Sequence, residues 1–228
     1  MFDSLELITF DLDDTLWPCF PTIHAAEQTL YQWLQQHAPS LAEEHDIDSL
    51  RTHRLAVAER HPDLSHNLTE VRLRSLQILA REHDLHADLP EAANAVFREA
   101  RNRVTPYEEV VDVLNELRER YLLVAVSNGN AQVERTPLSG CFHYSFMAEQ
   151  VGAAKPHPAL FQAASQASGV GLERAMHVGD DPVRDVEAAR LMGMRTVWVD
   201  REQGGWPGDL PRADLQVSDL RELKQQLK

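Results

Sequence analysis

The chain has 228 residues, 43% of them hydrophobic and 25% charged, which suits a globular protein with one large domain or a core domain plus a subdomain. Its 36 acidic and 22 basic residues give a formal net charge of −14, which argues against a polyanionic partner such as nucleic acid. The amino terminus has neither a basic signal region nor a membrane-length apolar run, so we expect a cytoplasmic protein without a membrane partner. The two cysteines, Cys19 and Cys141, lack metal-type spacing and fit reduced thiols.

Short apolar segments that end at polar residues predict four buried β-strands. The first covers residues 5–10 and stops at Asp11. The later three cover residues 122–126, 175–178 and 195–199. Helical periodicity precedes each of these three, over residues 107–120, 158–168 and 183–192. Alternating helices and apolar strands predict an α/β fold with a Rossmann-like parallel sheet covered on both faces.

A long insert between the first strand and the rest of the sheet predicts a second, helical subdomain. It contains no strand-like apolar run, and apolar residues recur at helical spacing over residues 22–37, 47–61, 68–84 and 90–103. Pro18, Pro21 and Pro106 mark its connections to the sheet. We therefore expect a core formed by residues 1–16 and 105–228, and a helical cap formed by residues 17–104.

Reactive side chains follow the predicted strands where open parallel sheets place their active sites. Asp11 and Asp13, Ser127 and Asp180 come after three of the strands, and Lys155 lies in the loop before a predicted helix. A carboxylate can attack phosphorus, and a second carboxyl can protonate the leaving oxygen. Carboxylates also hold a hard divalent cation that offsets the charge of a phosphate. The pattern therefore predicts phosphoryl chemistry.

Four ordered motifs resemble those of the haloacid dehalogenase (HAD) superfamily. They are Asp11-x-Asp13-x-Thr15, Ser127-Asn128, Lys155-Pro156 and Gly179-Asp180-Asp181-x-x-x-Asp185. The insert resembles the helical C1 cap of that superfamily. The residues around the first, second and fourth motifs are similar to those of bacterial HAD phosphatases that act on FMN and on 5-amino-6-(5-phosphoribitylamino)uracil. The resemblance implies a Mg²⁺-dependent phosphatase with a small phosphorylated metabolite as its substrate.

The resemblance also implies a role for each matching residue. Asp11 would be the nucleophile that forms an aspartyl-phosphate, and Asp13 would be the general acid and then the general base. The expected Mg²⁺ ligands are Asp11, the backbone carbonyl of Asp13, and Asp180. Asp185 would either lie next to these ligands without binding the metal itself or pair with Lys155. The residues expected to bind the phosphoryl oxygens are Ser127, Asn128 and Lys155.

Asp13 separates the reaction classes within this superfamily. Dehalogenases of the superfamily lack a carboxylate at this position, because a departing halide needs no proton, so Asp13 favours phosphoryl transfer. Other HAD reactions remain open, namely a sugar-phosphate phosphatase, a nucleotide phosphatase or a phosphomutase. A phospho-accepting signalling domain is a further alternative, although it would not need an acid and base at Asp13.

Several residues keep two interpretations at this stage. Asp181 either joins the metal site or caps the helix that follows. Trp17 either packs the hinge or stacks on a planar ring of the substrate. Eight of the 11 histidines lie in the insert, and we interpret them as residues of solvated helix faces. A cap favours small substrates, and the sequence does not predict the oligomeric state.

Overall fold

The computed structural model describes residues 4–201 and 204–227. The chain divides into two compact units, one formed by Met1–Pro18 with Thr105–Lys228 and the other by Cys19–Val104. Within the described ranges, no helix combines the length and the apolar character that crossing a membrane requires.

The first unit contains a six-stranded sheet in which all neighbouring strands are parallel. Its strands are β1 (Leu7–Phe10), β2 (Leu122–Ser127), β3 (Tyr144–Met147), β4 (Ala175–Gly179), β5 (Arg195–Val199) and β6 (Leu215–Val217). The strand order is β3-β2-β1-β4-β5-β6. The chain order reverses on either side of β1, and a reversal of this kind leaves a crevice at the carboxyl ends of the strands.

The second unit is a bundle of five helices. These are α1 (Cys19–His37), α2 (Pro39–Glu44), α3 (Ile47–Arg60), α4 (Leu68–Glu82) and α5 (Leu89–Arg101). Side chains at three- and four-residue spacing, among them Ala26, Leu30 and Leu34 of α1, form its core with Leu79 and Phe97. Asn67 caps the start of α4 by accepting a hydrogen bond from the Glu70 N–H.

Five further helices belong to the sheet unit. They are α6 (Val110–Arg118), α7 (Ala148–Val151), α8 (Ala159–Ser168), α9 (Ala188–Leu191) and α10 (Leu220–Gln226). A π-helical turn, Pro182–Glu187, leads into α9. Leu160, Phe161 and Ala164 of α8 pack against Val124 and Val126 of β2, all fully withdrawn from water. Complete burial of a leucine or phenylalanine contributes roughly 1.5–3 kcal/mol, so this layer fixes the strands that carry the site.

The structure confirms the predicted fold class and the four predicted strands. Strands β3 and β6 were missed because both are short and partly exposed, so they lack the continuous apolar run that marks the buried strands. The short helices α2, α7 and α10 were missed for a related reason, since four to seven residues show no clear helical period. The chain passes from the first unit to the second after Pro18 and returns after Val104. The expected borders follow residues 16 and 104.

Candidate active site

Three carboxylates from two adjacent strands converge at one edge of the sheet. Asp11 follows β1, Asp180 follows β4, and Asp185 lies in the π-helical turn beyond β4. Oxygens of all three lie within 4.8 Å of one another. Parallel pairing of β1 with β4 causes this convergence, because Phe10 is in register with Val178 and the strands end together.

Lys155 lies between two of these carboxylates. Its Nζ donates to Asp11 Oδ1 at 2.6 Å, to Asp185 Oδ1 at 2.6 Å and to the Val126 carbonyl at 3.0 Å. An ammonium has three N–H donors, so all of them are used, and the residue is only 3% exposed. The lysine therefore stands as a fixed positive charge beside the expected nucleophile.

The charges of the cluster shift the pKa values of its members. Burial alone would lower the pKa of Lys155, but the Asp11 and Asp185 carboxylates raise it above its ordinary value. Burial would likewise raise the pKa of Asp185, yet Lys155 and His177 hold it well below its usual range. Lys155 and Asp185 are therefore both charged at neutral pH.

The pKa values of Asp11 and Asp180 are raised, whereas that of Asp185 is lowered. Burial raises the pKa of Asp11 well above its ordinary value; Lys155 opposes this, while Asp185 and Asp180 add to it. Burial, followed by repulsion from Asp185, raises the pKa of Asp180 to about 7. When all four groups are ionised, three carboxylates and one ammonium carry a net charge of −2. Oxygen donors with this excess of negative charge fit a hard divalent cation such as Mg²⁺.

Asp185 serves this cluster as the partner of Lys155. Its Oδ1 accepts from Lys155 and lies 3.1 Å from His177 Nε2, while its Oδ2 accepts from the Asp181 backbone N–H at 3.0 Å. Both oxygens are thus occupied by protein groups. Asp185 pairs with Lys155, which was one of its two expected roles, and Asp11 and Asp180 are better placed to bind a metal.

Asp13 is held by the tryptophan four residues later. The Trp17 indole N–H donates to Asp13 Oδ1 at 2.8 Å, and the Asp14 N–H donates to the Trp17 carbonyl at 2.7 Å. Trp17 is 0% exposed, so its ring offers no face for a substrate, and the stacking hypothesis is not supported. The indole instead orients the Asp13 carboxyl. The role of the Asp13 carbonyl in metal binding remains a prediction.

Ser127 and Asn128 lie at the end of β2, next to the lysine. The Ser127 hydroxyl oxygen accepts from the Gly129 N–H at 2.9 Å. The Asn128 side chain donates to the Lys155 carbonyl at 2.9 Å and accepts from the Lys155 N–H at 2.7 Å. The Asn128 amide therefore positions the Lys155 backbone. Phosphate binding by Ser127, Asn128 and Lys155 remains a prediction.

Asp181 caps the turn that follows it. One of its carboxylate oxygens accepts from the Val183 and Arg184 N–H groups, each at 2.8 Å. Pro182 occupies the first position of the turn, where no N–H is needed. Of the two interpretations left open by the sequence, the structure supports capping.

Residues to which the sequence analysis gave no role hold Asp180 in place. The Thr15 hydroxyl donates to Asp180 Oδ1 at 2.9 Å, and the Trp198 indole donates to the Asp180 carbonyl at 2.7 Å. The guanidinium of Arg201 donates to the Thr15 carbonyl and stacks over the Tyr107 ring, 3.7 Å from its centroid. These partners are 18 to 186 residues apart in the chain, so local pattern could not reveal them.

His177 was also missed, although a buried histidine within the apolar strand β4 was a usable signal. It is 1% exposed, its Nδ1 lies 2.8 Å from the Thr9 hydroxyl, and its Nε2 faces Asp185. Burial lowers the pKa of His177, although Asp185 opposes this. A neutral ring with its proton on Nε2 can donate to Asp185 and accept from Thr9.

Comparison with known proteins agrees with this geometry. The haloacid dehalogenase-like hydrolase family model matches residues 5–193. The 5-amino-6-(5-phospho-D-ribitylamino)uracil phosphatase YigB of Escherichia coli is 33% identical over 204 residues, covering 88% of this chain and 85% of that protein. The phosphoserine phosphatase of Thermus thermophilus is 45% identical over 141 residues, covering 58% of this chain and 55% of that protein.

A solved structure extends the match to the whole fold. The crystal structure of a 2-haloacid dehalogenase from Pseudomonas syringae aligns with a TM-score of 0.90 and 32% identity, covering 98% of each chain. The family model spans more than half of the sequence, and the matched residues 5–193 include Asp11, Asp180 and Asp185, which converge at the sheet edge. This chain therefore belongs to the haloacid dehalogenase-like hydrolases and is an enzyme of that superfamily.

Proposed function

We propose that this chain is a Mg²⁺-dependent phosphatase that hydrolyses a small phosphorylated metabolite with Asp11 as its nucleophile. The main supporting observation is the Lys155 ammonium held between Asp11 and Asp185, with Asp180 in the same cluster. A fixed cation at this place offsets the negative charge that a phosphoryl group brings to an attacking carboxylate. Phosphatases among the relatives support the same class.

The proposed reaction has two steps, formation of an aspartyl-phosphate and its hydrolysis. First, an oxygen of Asp11 attacks phosphorus, the bond to the leaving oxygen breaks, and Asp13 gives that oxygen its proton. Second, the Asp13 carboxylate takes a proton from water as the water oxygen attacks the aspartyl-phosphate, which releases inorganic phosphate and restores Asp11. The Trp17 indole keeps Asp13 oriented in both steps.

The metal and the phosphate have separate binding groups in this proposal. Asp11, Asp180 and the Asp13 carbonyl would hold Mg²⁺, which supplies positive charge against the phosphoryl oxygens. The Ser127 hydroxyl would donate to those oxygens, and Lys155 would bind them by giving up one of its three protein acceptors. The raised pKa values of Asp11 and Asp180 support the metal assignment, because a bound cation favours their ionised forms.

For the substrate we propose FMN or a phosphate of the riboflavin pathway, and the aminouracil phosphate handled by the Escherichia coli relative is the first compound to test. The identity of 33% spans most of both chains, whereas the phosphoserine phosphatase matches only 55% of its own length. Glyceraldehyde 3-phosphate and phosphoserine belong in the same screen, because other relatives act on these compounds.

A 2-haloacid dehalogenase is the second candidate, favoured by the TM-score of 0.90 to a structure of that name. The presence of Asp13 argues against a dehalogenase. A halide leaves without a proton, so dehalogenation would not need a proton donor at Asp13. The Trp17 indole nevertheless holds the Asp13 carboxyl by a hydrogen bond.

A parallel screen distinguishes the two candidates. Inorganic phosphate is measured with FMN, the aminouracil phosphate, sugar phosphates, mononucleotides, phosphoserine and glyceraldehyde 3-phosphate, each with Mg²⁺ and with EDTA. Halide release is measured with 2-haloacids. We expect phosphate release that requires Mg²⁺ and no halide release; halide release without phosphate release would reverse the assignment.

A further inference from the structure

The helical unit contains a cluster of arginines around one buried carboxylate. Glu27 of α1 is 5% exposed, and its Oε2 accepts from Arg51 of α3, at 3.0 Å from Nε and 2.5 Å from Nη2. Arg54, one turn further along α3, has its Nη2 3.7 Å from the other Glu27 oxygen, which is beyond hydrogen-bond distance. Arg51 thus takes the close contacts, and Arg54 keeps a loose ion pair.

Arg72 of α4 adds a second guanidinium without a close acceptor. Its guanidinium carbon lies 3.3 Å from the centroid of the Phe97 ring of α5. Among the described residues, the Nε atoms of Arg72 and Arg54 have no hydrogen-bond partner, and both atoms are withdrawn from solvent. A buried donor without an acceptor costs roughly 1–3 kcal/mol, and more when it is charged.

The positive charges in the cluster repel one another. Burial, followed by the charge of Arg54, lowers the pKa of Arg72 to about 9, with Arg101 and Arg51 adding to the effect and Glu27 opposing it. Burial also lowers the pKa of Arg54. Such an arrangement destabilises a folded protein, and perturbed groups of this kind concentrate at functional sites.

Packing alone does not account for the cluster. Stacking on Phe97 explains the plane of the Arg72 guanidinium, but an apolar side chain of similar volume would fill that space without the cost of a buried charge. An incoming anion at the exposed parts of Arg51 and Arg54 would relieve the repulsion among the guanidinium groups. The side chains of Arg54 and Arg51 are 17% and 29% exposed, so a small ligand can approach them from solvent.

We propose that Arg54 and Arg72, with Arg51 beside them, form an anion-binding site in the helical unit for a small metabolite that carries carboxylate or phosphate groups. The planar fork of a guanidinium matches these oxyanions in a bidentate manner. The anion has two possible sources: a second charged group of the enzyme's own substrate, or a separate effector.

Binding to the intact, metal-free protein tests the site without turnover. Citrate and pyrophosphate serve as probes in the presence of EDTA, and calorimetry gives their Kd. We expect Arg72→Gln and Arg54→Gln each to weaken binding by about tenfold or more, as expected when a charged hydrogen bond is lost. The control is Arg74→Gln, since Arg74 also lies on α4 but is half-exposed and pairs with Glu70 at 2.9 Å; it should bind normally.

Two results would overturn the site: no binding of either probe by the wild type, or equal weakening by Arg74→Gln and the other two variants. If Arg72→Gln fails to fold, Arg54→Gln decides the question by itself. Because no turnover is involved, a protein that binds the probes but hydrolyses no phosphate ester would contradict the proposed function and leave this inference standing.

Kinetics then identify the source of the anion. The two substrates 3-phosphoglycerate and glycerol 3-phosphate differ by one carboxylate. If that group binds the cluster, Arg72→Gln lowers kcat/KM for 3-phosphoglycerate about tenfold more than for glycerol 3-phosphate. If the ligand is an effector, the ratio stays constant and citrate changes the wild-type rate without competing with substrate. Both results support the site.

Discussion

At the scale of single residues, the sequence located the side chains that converge at the site better than the residues that hold them in place. Asp11 and Asp180 stand at strand ends that the apolar pattern located, Lys155 lies in the loop before α8, and the structure brings the three together. Thr15, His177 and Arg201 support them through contacts that bridge 165, 8 and 186 residues of chain. Contacts of long separation exist only in the folded chain, and a one-letter pattern does not encode them.

Trp17 allows a test of how the proton donor is held. Trp17→Phe keeps the buried ring but removes the hydrogen bond to Asp13, so we expect kcat to fall about tenfold or more while KM changes little. The measurement is steady-state kinetics with FMN and with a sugar phosphate, and the losses should be equal. Trp33→Phe in α1 is the control, because that ring stacks on His37 within the same helix. A rise in KM for FMN alone would show that Trp17 contacts the substrate ring after all.

Asp180 gives the metal-free protein a predictable dependence on pH. Its pKa is about 7 in the folded state and near 3.8 in the unfolded state, so the folded protein keeps a proton that the unfolded chain loses between these values. The free energy of unfolding therefore falls as pH rises from about 4 to about 7. For this group alone the loss is on the order of 4 kcal/mol.

Thermal melting in EDTA across this pH range measures the effect against Asp180→Asn. The wild type should lose more stability than the variant as pH rises, and Mg²⁺ at pH 8 should restore more stability to the wild type. Groups that do not interact with Asp180 contribute equally to both curves, so the difference reports Asp180 together with its effect on Asp11. Parallel curves would mean that Asp180 is not strained in the absence of metal.

At the scale of elements, strand ends determine where the chemistry lies. The predicted strands were correct where the apolar run is continuous, and the candidate site depends on three of them, β1, β2 and β4. The edge strands β3 and β6 were not predicted, since exposed edges lack that run. Lys155 lies in the segment between β3 and α8, but missing β3 did not affect the site, because the lysine was identified from its position before a predicted helix.

Gly179 at the end of β4 tests how tightly strand and site are packed. A Cβ at this position would lie 2.4 Å from Asp185 Cγ, and Asp185 is fixed by its bonds to Lys155, His177 and the Asp181 N–H. We expect Gly179→Ala to lose about 1–3 kcal/mol of stability and to lower kcat, because Asp185 must move and release Lys155. Denaturant unfolding and kinetics measure the two effects.

Gly208→Ala is the matched control, because a Cβ there meets nothing within 4 Å. It should change neither stability nor activity. A Gly179→Ala protein as active and as stable as the wild type would show that Asp185 can shift freely, which would remove the argument for a fixed lysine.

At the scale of the whole molecule, the formal charge of −14 and an anionic substrate are compatible. In the proposed reaction Lys155 and a divalent cation would act within a few ångströms of the phosphate, whereas remote surface charges are screened over about 8 Å at physiological salt. Each of the two units has its own hydrophobic cluster. A change of period in the sequence predicted two units, but the buried arginines of the helical unit look in sequence like ordinary charged residues of amphipathic helices.

The central claim is that Asp11 carries the phosphoryl group during catalysis. The most direct measurement is acid quenching during turnover of the best substrate with Mg²⁺, followed by mass spectrometry of the peptide that contains Asp11. The account predicts a peptide heavier by one phosphoryl group, which forms fast enough to be an intermediate and is absent in Asp11→Asn and in EDTA. Full phosphatase activity in Asp11→Asn, or the phosphoryl group on another residue, would contradict it.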